Sequence, residues 1–302
     1  MKLNSTVCVI GSRASEFCKE FGKKGGESDY RLWHSIVHEK IITACEPFRW
    51  PEKLAPLMYC LNLSDFVVVA HDTADAALGE ALVALDLLDK KEGCFATEYG
   101  IEQYAKGTVA EAYEVKANDE ALEWARTREL KAHEGDLKVL IDSSFAVKGL
   151  GNVLLGFVER GTVRVHDKLV ANPSGKRIEV RSIQLQDEDQ KEAGPGSRVG
   201  LCFKGSNPEE IKRGQVLTIE PLRSVTELEC EVKASKFAAD SKHLHAFVGL
   251  QSVACEVDGL KAGGTARAII RFKQPIAFDK EAIALCDLNK VMPRVVGVAR
   301  EA

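Results

Sequence analysis

At 302 residues and 45% hydrophobic side chains, the chain is long enough for two or three domains with substantial cores, and no run approaches the ~18 apolar residues of a membrane span. The N-terminus MKLNSTVCVIG has no apolar signal core or cleavage site, which points to a cytosolic protein. The net charge of −4 is uneven: residues 1–136 carry 16 Lys/Arg against 24 Asp/Glu, while residues 137–222 and 223–302 each carry two more cations than anions, an excess too small to indicate nucleic-acid binding by itself.

The first 110 residues alternate between two periodicities. Val7–Ile10 reads as a strand, Arg13–Phe21 as a helix with Ala14, Phe17, Cys18 and Phe21 on one face, and Glu39–Cys45 as a strand. Pro51–Leu63 reads as a helix opened by Pro51, Phe66–Ala70 as a buried strand, Asp75–Leu88 as a periodic helix and Gly93–Ala96 as a short strand. Residues 110–136 read as helix then linker, with Trp124 anchoring the segment. Interleaved strands and helices predict a parallel, doubly wound α/β sheet. After Asp136 the texture changes to short β-rich runs punctuated by Gly, Asn-Pro and Pro-Gly, and a second such block begins near Val225. The predicted architecture is α/β plus all-β: an α/β domain with linker over 1–136, then antiparallel barrels over 137–222 and 223–302.

Nine cysteines are scattered singly with no C-x-x-C, so buried reduced thiols are expected and a zinc site is not. His243-x-His245 puts two imidazoles on one side of a strand, but no third ligand stands at a suitable spacing. His34 and His38 have helical i, i+4 spacing without H-E-x-x-H, in a segment that also reads as a loop. No metal is expected.

The middle block carries Phe145, Lys148-Gly149-x-Gly151, Gly156, Gly161, Asp167, Val180-Arg181-Ser182-Ile183-Gln184, Ala193-Gly194, Arg198-Val199-Gly200-Leu201 and Arg213-Gly214-x-Val216-Leu217. This spaced set resembles the second domain of translational GTPases, most closely the SelB branch and its EF-Tu relatives. Its glycines suit hairpins and close strand crossings, so most of the set specifies a fold rather than a ligand. Ala266-x-Ala268, Phe272-x-x-Pro275-Ile276-Ala277 and Arg294-Val295-Val296-Gly297 extend the resemblance more weakly to the third, barrel-shaped domain. It implies that residues 1–110 form a GTPase domain, and that the chain is similar to archaeal elongation-factor-like proteins.

The GTPase signatures are missing from that domain. Counted from Gly11 in VCVIGSRASEFCKEFGKKGG, the closing Gly-Lys-[Ser/Thr] of a phosphate loop falls on Glu16, Phe17 and Cys18. Gly22-Lys23-Lys24 lies too far along, with Lys24 in place of the hydroxyl. Where Asp-x-x-Gly should follow the third strand, the chain reads Glu46-Pro47-Phe48-Arg49; where Asn-Lys-x-Asp should stand, it reads Thr97-Glu98-Tyr99-Gly100. The reading is a pseudo-GTPase with no catalytic residue and no cofactor. It acts as a monomeric tRNA-, ribosome- or factor-binding module of translation, without the appended RNA-hairpin-binding domain that some SelB proteins carry. Because domain 2 and its cleft with the G domain hold the aminoacyl end of tRNA in the related factors, the resemblance suggests that Lys148, Arg164 and Arg181 face RNA or a partner. Glu179 and Asp187–Asp189 interleave with them, so plain solvated barrel charge is the competing reading. Two alternatives stand beside this: a working elongation factor that binds GTP and Mg through Gly11-Ser12 or Gly22-Lys23, and a protein scaffold without RNA contact.

Overall fold

Each residue of the first strand, β1 (Ser5–Ile10), is buried, as expected where helices cover both faces of a sheet. A computed structural model of the protein describes residues 4–128, 135–238 and 242–302. After β1 come α1 (Ala14–Phe21), β2 (Lys23–Glu27), β3 (Arg31–Val37), β4 (Lys40–Glu46), α2 (Ala55–Leu63), β5 (Phe66–Val69), α3 (Ala76–Leu87), β6 (Gly93–Ala96), β7 (Glu114–Lys116) and α4 (Asn118–Thr127). They form one seven-stranded sheet in the order β2-β3-β4-β1-β5-β6-β7. Strands β4, β1, β5, β6 and β7 run parallel, and β2, β3 and β4 form an antiparallel meander at one edge.

The α1 face of the sheet closes as its pattern predicts: Ala14, Phe17, Cys18 and Phe21 pack with Val7, Val9 and the α4 residues Ala121 and Ala125. On the other face α2 and α3 bury most of their length, because they lie between the sheet and the last barrel. Two expectations are corrected. The segment holding His34 and His38 is not a helix: His34 lies on strand β3, while His38 sits in the tight β3–β4 turn with φ 48°. Strand β2, Lys-Lys-Gly-Gly-Glu, lacks any apolar alternation and is held by pairing to β3 alone. Pro51 does not open a helix. It sits in the turn before α2, which begins at Ala55 with Pro56 in its first turn.

The first barrel comprises β8 (Lys138–Val147), β9 (Gly151–Arg160), β10 (Val163–Arg164), β11 (Lys168–Asn172), β12 (Lys176–Leu185), β13 (Glu188–Gln190), β14 (Glu192–Ala193), β15 (Arg198–Lys204) and β16 (Val216–Thr218). Its main sheet closes on itself through β11 and β12. The second barrel closes in the order β17 (Arg223–Ala234), β20 (Thr265–Phe278), β19 (Gln251–Asp258), β18 (His243–Val248), β21 (Ile283–Cys286) and β22 (Val295–Glu301). Closure removes the edges of the second barrel, while the first keeps short ones at β13 and on the β10–β14 ribbon.

One hydrophobic cluster runs through all three units. It joins Leu57, Met58 and Leu85 of the α/β unit, Leu140 and Phe157 of the first barrel, and Phe247, Ala284 and Val295 of the second. Buried polar contacts fix the seams. Tyr30 Oη donates to Asp142 Oδ1 at 2.7 Å, and Arg213 reaches both Asp142 and Asp29. Lys138, 1% exposed, lies between Glu159 and Glu281, which joins the two barrels. Glu80 of α3 is fully buried. It accepts from Trp50 Nε1 at 2.9 Å and from Arg294 through its backbone N–H at 2.7 Å, Nε at 2.9 Å and Nη2 at 2.6 Å. Removing one member of such a pair strands a charge out of water. Arg294→Met should therefore lower stability by about 3–5 kcal/mol in urea unfolding, and the double variant Glu80→Leu/Arg294→Met should recover most of that loss.

Candidate functional site

Open α/β sheets bind ligands beyond the carboxyl ends of their parallel strands. Here that edge begins with a connection of only three residues, Gly11–Arg13, between β1 and α1. Gly11 has φ 125°, and a Cβ there would lie 2.2 Å from the Ala70 carbonyl oxygen at the end of β5, so only glycine fits. The N–H groups of the loop are turned to protein acceptors. Ser12 donates to His71 Nδ1 at 2.9 Å, Arg13 to the Ala70 carbonyl at 3.0 Å, and Ala14 to the Gly11 carbonyl at 3.2 Å.

The Arg13 side chain crosses the same edge. Its Nε lies 2.9 Å from Asp72 Oδ1 beyond β5, and its Nη2 donates to the Ala96 carbonyl at the end of β6. His71, 3% exposed, accepts at Nδ1, which assigns its proton to Nε2, and Nε2 donates to Asp75 Oδ1 at 3.1 Å. Asp75 in turn caps α3 by accepting the Leu78 N–H at 2.9 Å. Burial raises the Asp75 carboxyl pKa, but the Leu78 N–H, His71 and Thr73 outweigh it and leave a net lowering.

The first turn of α1 contributes Ser15, whose hydroxyl donates to Glu46 Oε1. Glu46 ends β4 with 1% exposure and also accepts from Trp33 Nε1 at 2.8 Å and Arg31 Nη1 at 3.4 Å. A cavity of about 300 Å³ opens beside this pair, walled by Ser12, Phe48, Trp50 and His71. The count from Gly11 is thus out of register. Because α1 starts at Ala14, Ala14 and Ser15 occupy its first turn, while Phe17 and Cys18 point into the core. Gly22 and Lys23 follow the far end of this eight-residue helix, so Gly11-Ser12 and Gly22-Lys23 are separated by its whole length, about 12 Å. At the end of β6, Thr97 is 3% exposed and its hydroxyl accepts the Tyr99 N–H, whereas Glu98 faces solvent.

A second cavity, about 220 Å³, lies where the β2–β3 hairpin meets the first barrel. Lys23 and His34 line one wall, and Ser182, Gln184 and Arg198 the other. His34 Nδ1 and Arg198 Nε are buried there without a hydrogen-bond partner. Burial, followed by the neighbouring charges of Lys23 and Arg198, lowers the His34 pKa below its ordinary value. Asp187, from the β12–β13 turn, is the single carboxylate among the described lining residues. Gly26 keeps the hairpin close, because a Cβ there would lie 3.2 Å from Arg198 Nη2.

The barrel cations named from the sequence part company. Arg181 is exposed on β12 beside Ser182 of the cavity wall. Lys148 stands at the exposed β8–β9 tip, which Cys202 Sγ, donating to the Leu150 carbonyl, holds to the cavity's rim. Arg164 lies on the separate β10–β14 ribbon, paired with Glu192 at 3.0 Å. His34 and Arg198 were missed as site residues: Arg198 was visible only as part of a fold pattern, and the spacing of His34 suggested the wrong element. Among the described residues, no group of three or more His, Cys, Asp or Glu could hold a metal, and no helix is long and apolar enough to cross a membrane.

The model of elongation factor Tu domain 2 matches residues 151–218. An uncharacterized protein of Methanocaldococcus jannaschii is 33% identical over 299 residues, which cover 93% of this chain and 94% of that protein. The selenocysteine-specific elongation factor of the same organism is 28% identical over 187 residues, 53% of this chain and 40% of that factor. The crystal structure of elongation factor SelB from Methanococcus maripaludis with the GTP analogue GppNHp superposes with a TM-score of 0.80 at 18% identity, over 100% of this chain and 80% of SelB. That order of one α/β unit and two barrels, the domain-2 match inside the first barrel and the near full-length relative together place the chain: it belongs to a translation-elongation-factor-like family related to SelB and EF-Tu.

Proposed function

We propose that this protein is a translation-factor-like module of the cytoplasm that binds tRNA or a ribosomal RNA element through the cleft between its α/β unit and first barrel, with no nucleotide switch and no catalytic step. The observation that carries the loss of nucleotide binding is the β1–α1 connection. A phosphate loop needs free N–H groups and a lysine, and here Ser12 and Arg13 donate to His71 and Ala70, while the nearest cation, Arg13, is neutralised by Asp72. The sealed carboxylate of Glu46 stands at the same edge and opposes a triphosphate. These residues do not fit GTP with Mg²⁺.

The RNA-facing reading rests on the interdomain cavity. Lys23 and Arg198 bring positive charge to one small space, with an orphaned imidazole nitrogen beside them; Lys148 is exposed on the β8–β9 tip near its rim, while Arg181 lines a separate depression with Asn152 and Lys204. Phe145, 43% exposed on the β8–β9 hairpin, adds an aromatic face of the kind on which an unpaired base stacks. An anionic chain end entering the cleft would satisfy Arg198 Nε and His34 Nδ1, which the protein itself leaves without partners.

Calorimetric titration with GTP or GDP, with and without Mg²⁺, should give no binding heat; micromolar, Mg²⁺-dependent binding would overturn the switchless reading. Deacylated tRNA and ribosomal RNA fragments should bind with an affinity that falls steeply with salt, and Arg198→Ala should weaken binding about tenfold or more with an unchanged unfolding midpoint. Binding that ignores both salt and Arg198 would favour a protein scaffold. His34 also gives a pH signature. Its lowered pKa keeps it neutral at pH 7, and an incoming anion favours the imidazolium, so RNA affinity should rise from pH 7.5 to 5.5. His34→Gln should flatten that rise in filter-binding measurements.

A further inference from the structure

Three loops meet at one end of the second barrel. The backbone N–H of Gly263 donates to the Ser235 carbonyl at 3.0 Å, Lys290 Nζ donates to the Phe237 carbonyl, and the Asp287 N–H donates to the Arg294 carbonyl at 2.8 Å, which closes the loop between β21 and β22. This end exposes large apolar side chains: Val291 is 84% accessible, and Phe237 and Leu288 are each 41%. Leu260 and Met292, half-buried, continue the apolar surface. Phe237, Leu288 and Val291 stand outside the barrel core, which lies beneath them around Leu244, Ile270 and Leu285 with Leu260 packed at its edge.

The exposed charge on these three loops is predominantly positive. Lys236 holds its ammonium 5.2 Å from the Phe237 ring, and Lys242 and Lys261 are exposed on the same loops, with Lys290 between Leu288 and Val291's turn. Among the described residues of these loops the carboxylates are engaged: Asp258 pairs with Arg271, and Asp287 is 9% exposed and accepts the Asn289 N–H. The sequence adds Asp240, outside the described residues, against the four lysines. An apolar centre with a cationic border complements a stripe of aliphatic side chains flanked by carboxylates. Aliphatic Leu288 and Val291 offer no stacking face, which sets this end apart from the aromatic and arginine platforms that suit unpaired bases.

From this juxtaposition we propose that the end of the second barrel formed by these three loops, centred on Phe237, Leu288 and Val291, docks an acidic amphipathic segment of a partner protein. The site is separate from the RNA-facing cleft, which lies on the first barrel, and so leaves the protein able to hold two partners at once.

The test uses the full-length chain and a fluorescently labelled helical peptide built from Glu and Leu, with Leu on one stripe. Anisotropy should show saturable, salt-sensitive binding that weakens about tenfold or more in Val291→Asp and in Leu288→Asp. Both positions are exposed, so the variants should keep the parent's unfolding midpoint, and a variant that loses it is replaced by Val291→Ser. The same peptide with Lys in place of Glu should not bind. Equal binding of the two peptides, no binding of the acidic one, or binding indifferent to both substitutions overturns the proposal. So does loss of tRNA or phosphatidylserine-vesicle binding in these variants without any peptide binding, which reassigns the surface to RNA or to a membrane.

Discussion

The carboxylate of Glu80 is the constraint on which the seating of the α/β unit against the second barrel depends. It sits in the middle of α3 with no exposure, and a charge in that position is tolerable only if it is paired and fully hydrogen-bonded. Its partners come from two directions: Trp50 from the loop after β4, and Arg294 from the entrance to β22. One group therefore ties together the helix, the loop bordering the candidate nucleotide edge and the last barrel. Arg294 also donates to the Pro51 carbonyl at 2.8 Å, so the loop is held at its backbone as well. Neither the loop nor the barrel can move without exposing an unpaired charge to a low-dielectric interior.

This bears on the α/β unit, because a nucleotide switch needs a loop with two arrangements of similar free energy. The loop from Pro47 to Lys53 begins at Glu46, whose carboxylate is spoken for by Ser15, Trp33 and Arg31, and passes through Trp50, bound to Glu80. At the other side of the edge, Gly11 lies against the Ala70 carbonyl, and His71 takes the Ser12 N–H. The Ser12 and Arg13 N–H groups of this edge thus have protein acceptors, His71 and the Ala70 carbonyl. The Ser15–Glu46 hydrogen bond keeps a hydroxyl and a carboxylate together, but as a contact within the core's rim and not as part of an open cradle.

Much of this fold was legible in the sequence, and the failures have particular causes. The stripe Ala14, Phe17, Cys18, Phe21 identified α1, and the glycine-marked runs after residue 137 identified closed antiparallel sheets. Counting along a phosphate-loop pattern presumed a longer loop; since the helix starts three residues after Gly11, the count landed on core residues. Strand β2 escaped because its Lys-Lys-Gly-Gly-Glu sequence has neither alternation nor β-propensity, and its form is imposed by the neighbouring β3. The Glu80–Arg294 pair, 214 residues apart, was beyond any local pattern, although Glu80 in the otherwise apolar stretch ALGEALVAL does signal a buried acid that requires a partner. Arg198 read as a fold mark. Its lack of a partner is a property of the hairpin packed against it, and no spacing rule reports that.

A fixed arrangement alters the energetics of whatever the cleft receives. Lys23, His34 and Arg198 are brought together by β2, β3 and β15 before any ligand arrives, so little ordering cost is charged to binding. Arg198 Nε, a buried donor without a partner, favours an anion, and the acidic balance of the α/β unit confines positive charge to the hairpin and the barrel. On the proposed switchless reading, release is governed by the dissociation rate and by competition from other anions. Strong charge–charge contacts at the rim, such as those offered by Lys148, speed arrival more than they slow departure. On the proposed reading the protein holds its ligand in proportion to local salt and ligand concentration, and the contacts of Glu80 are what fix the loop after β4 against the second barrel.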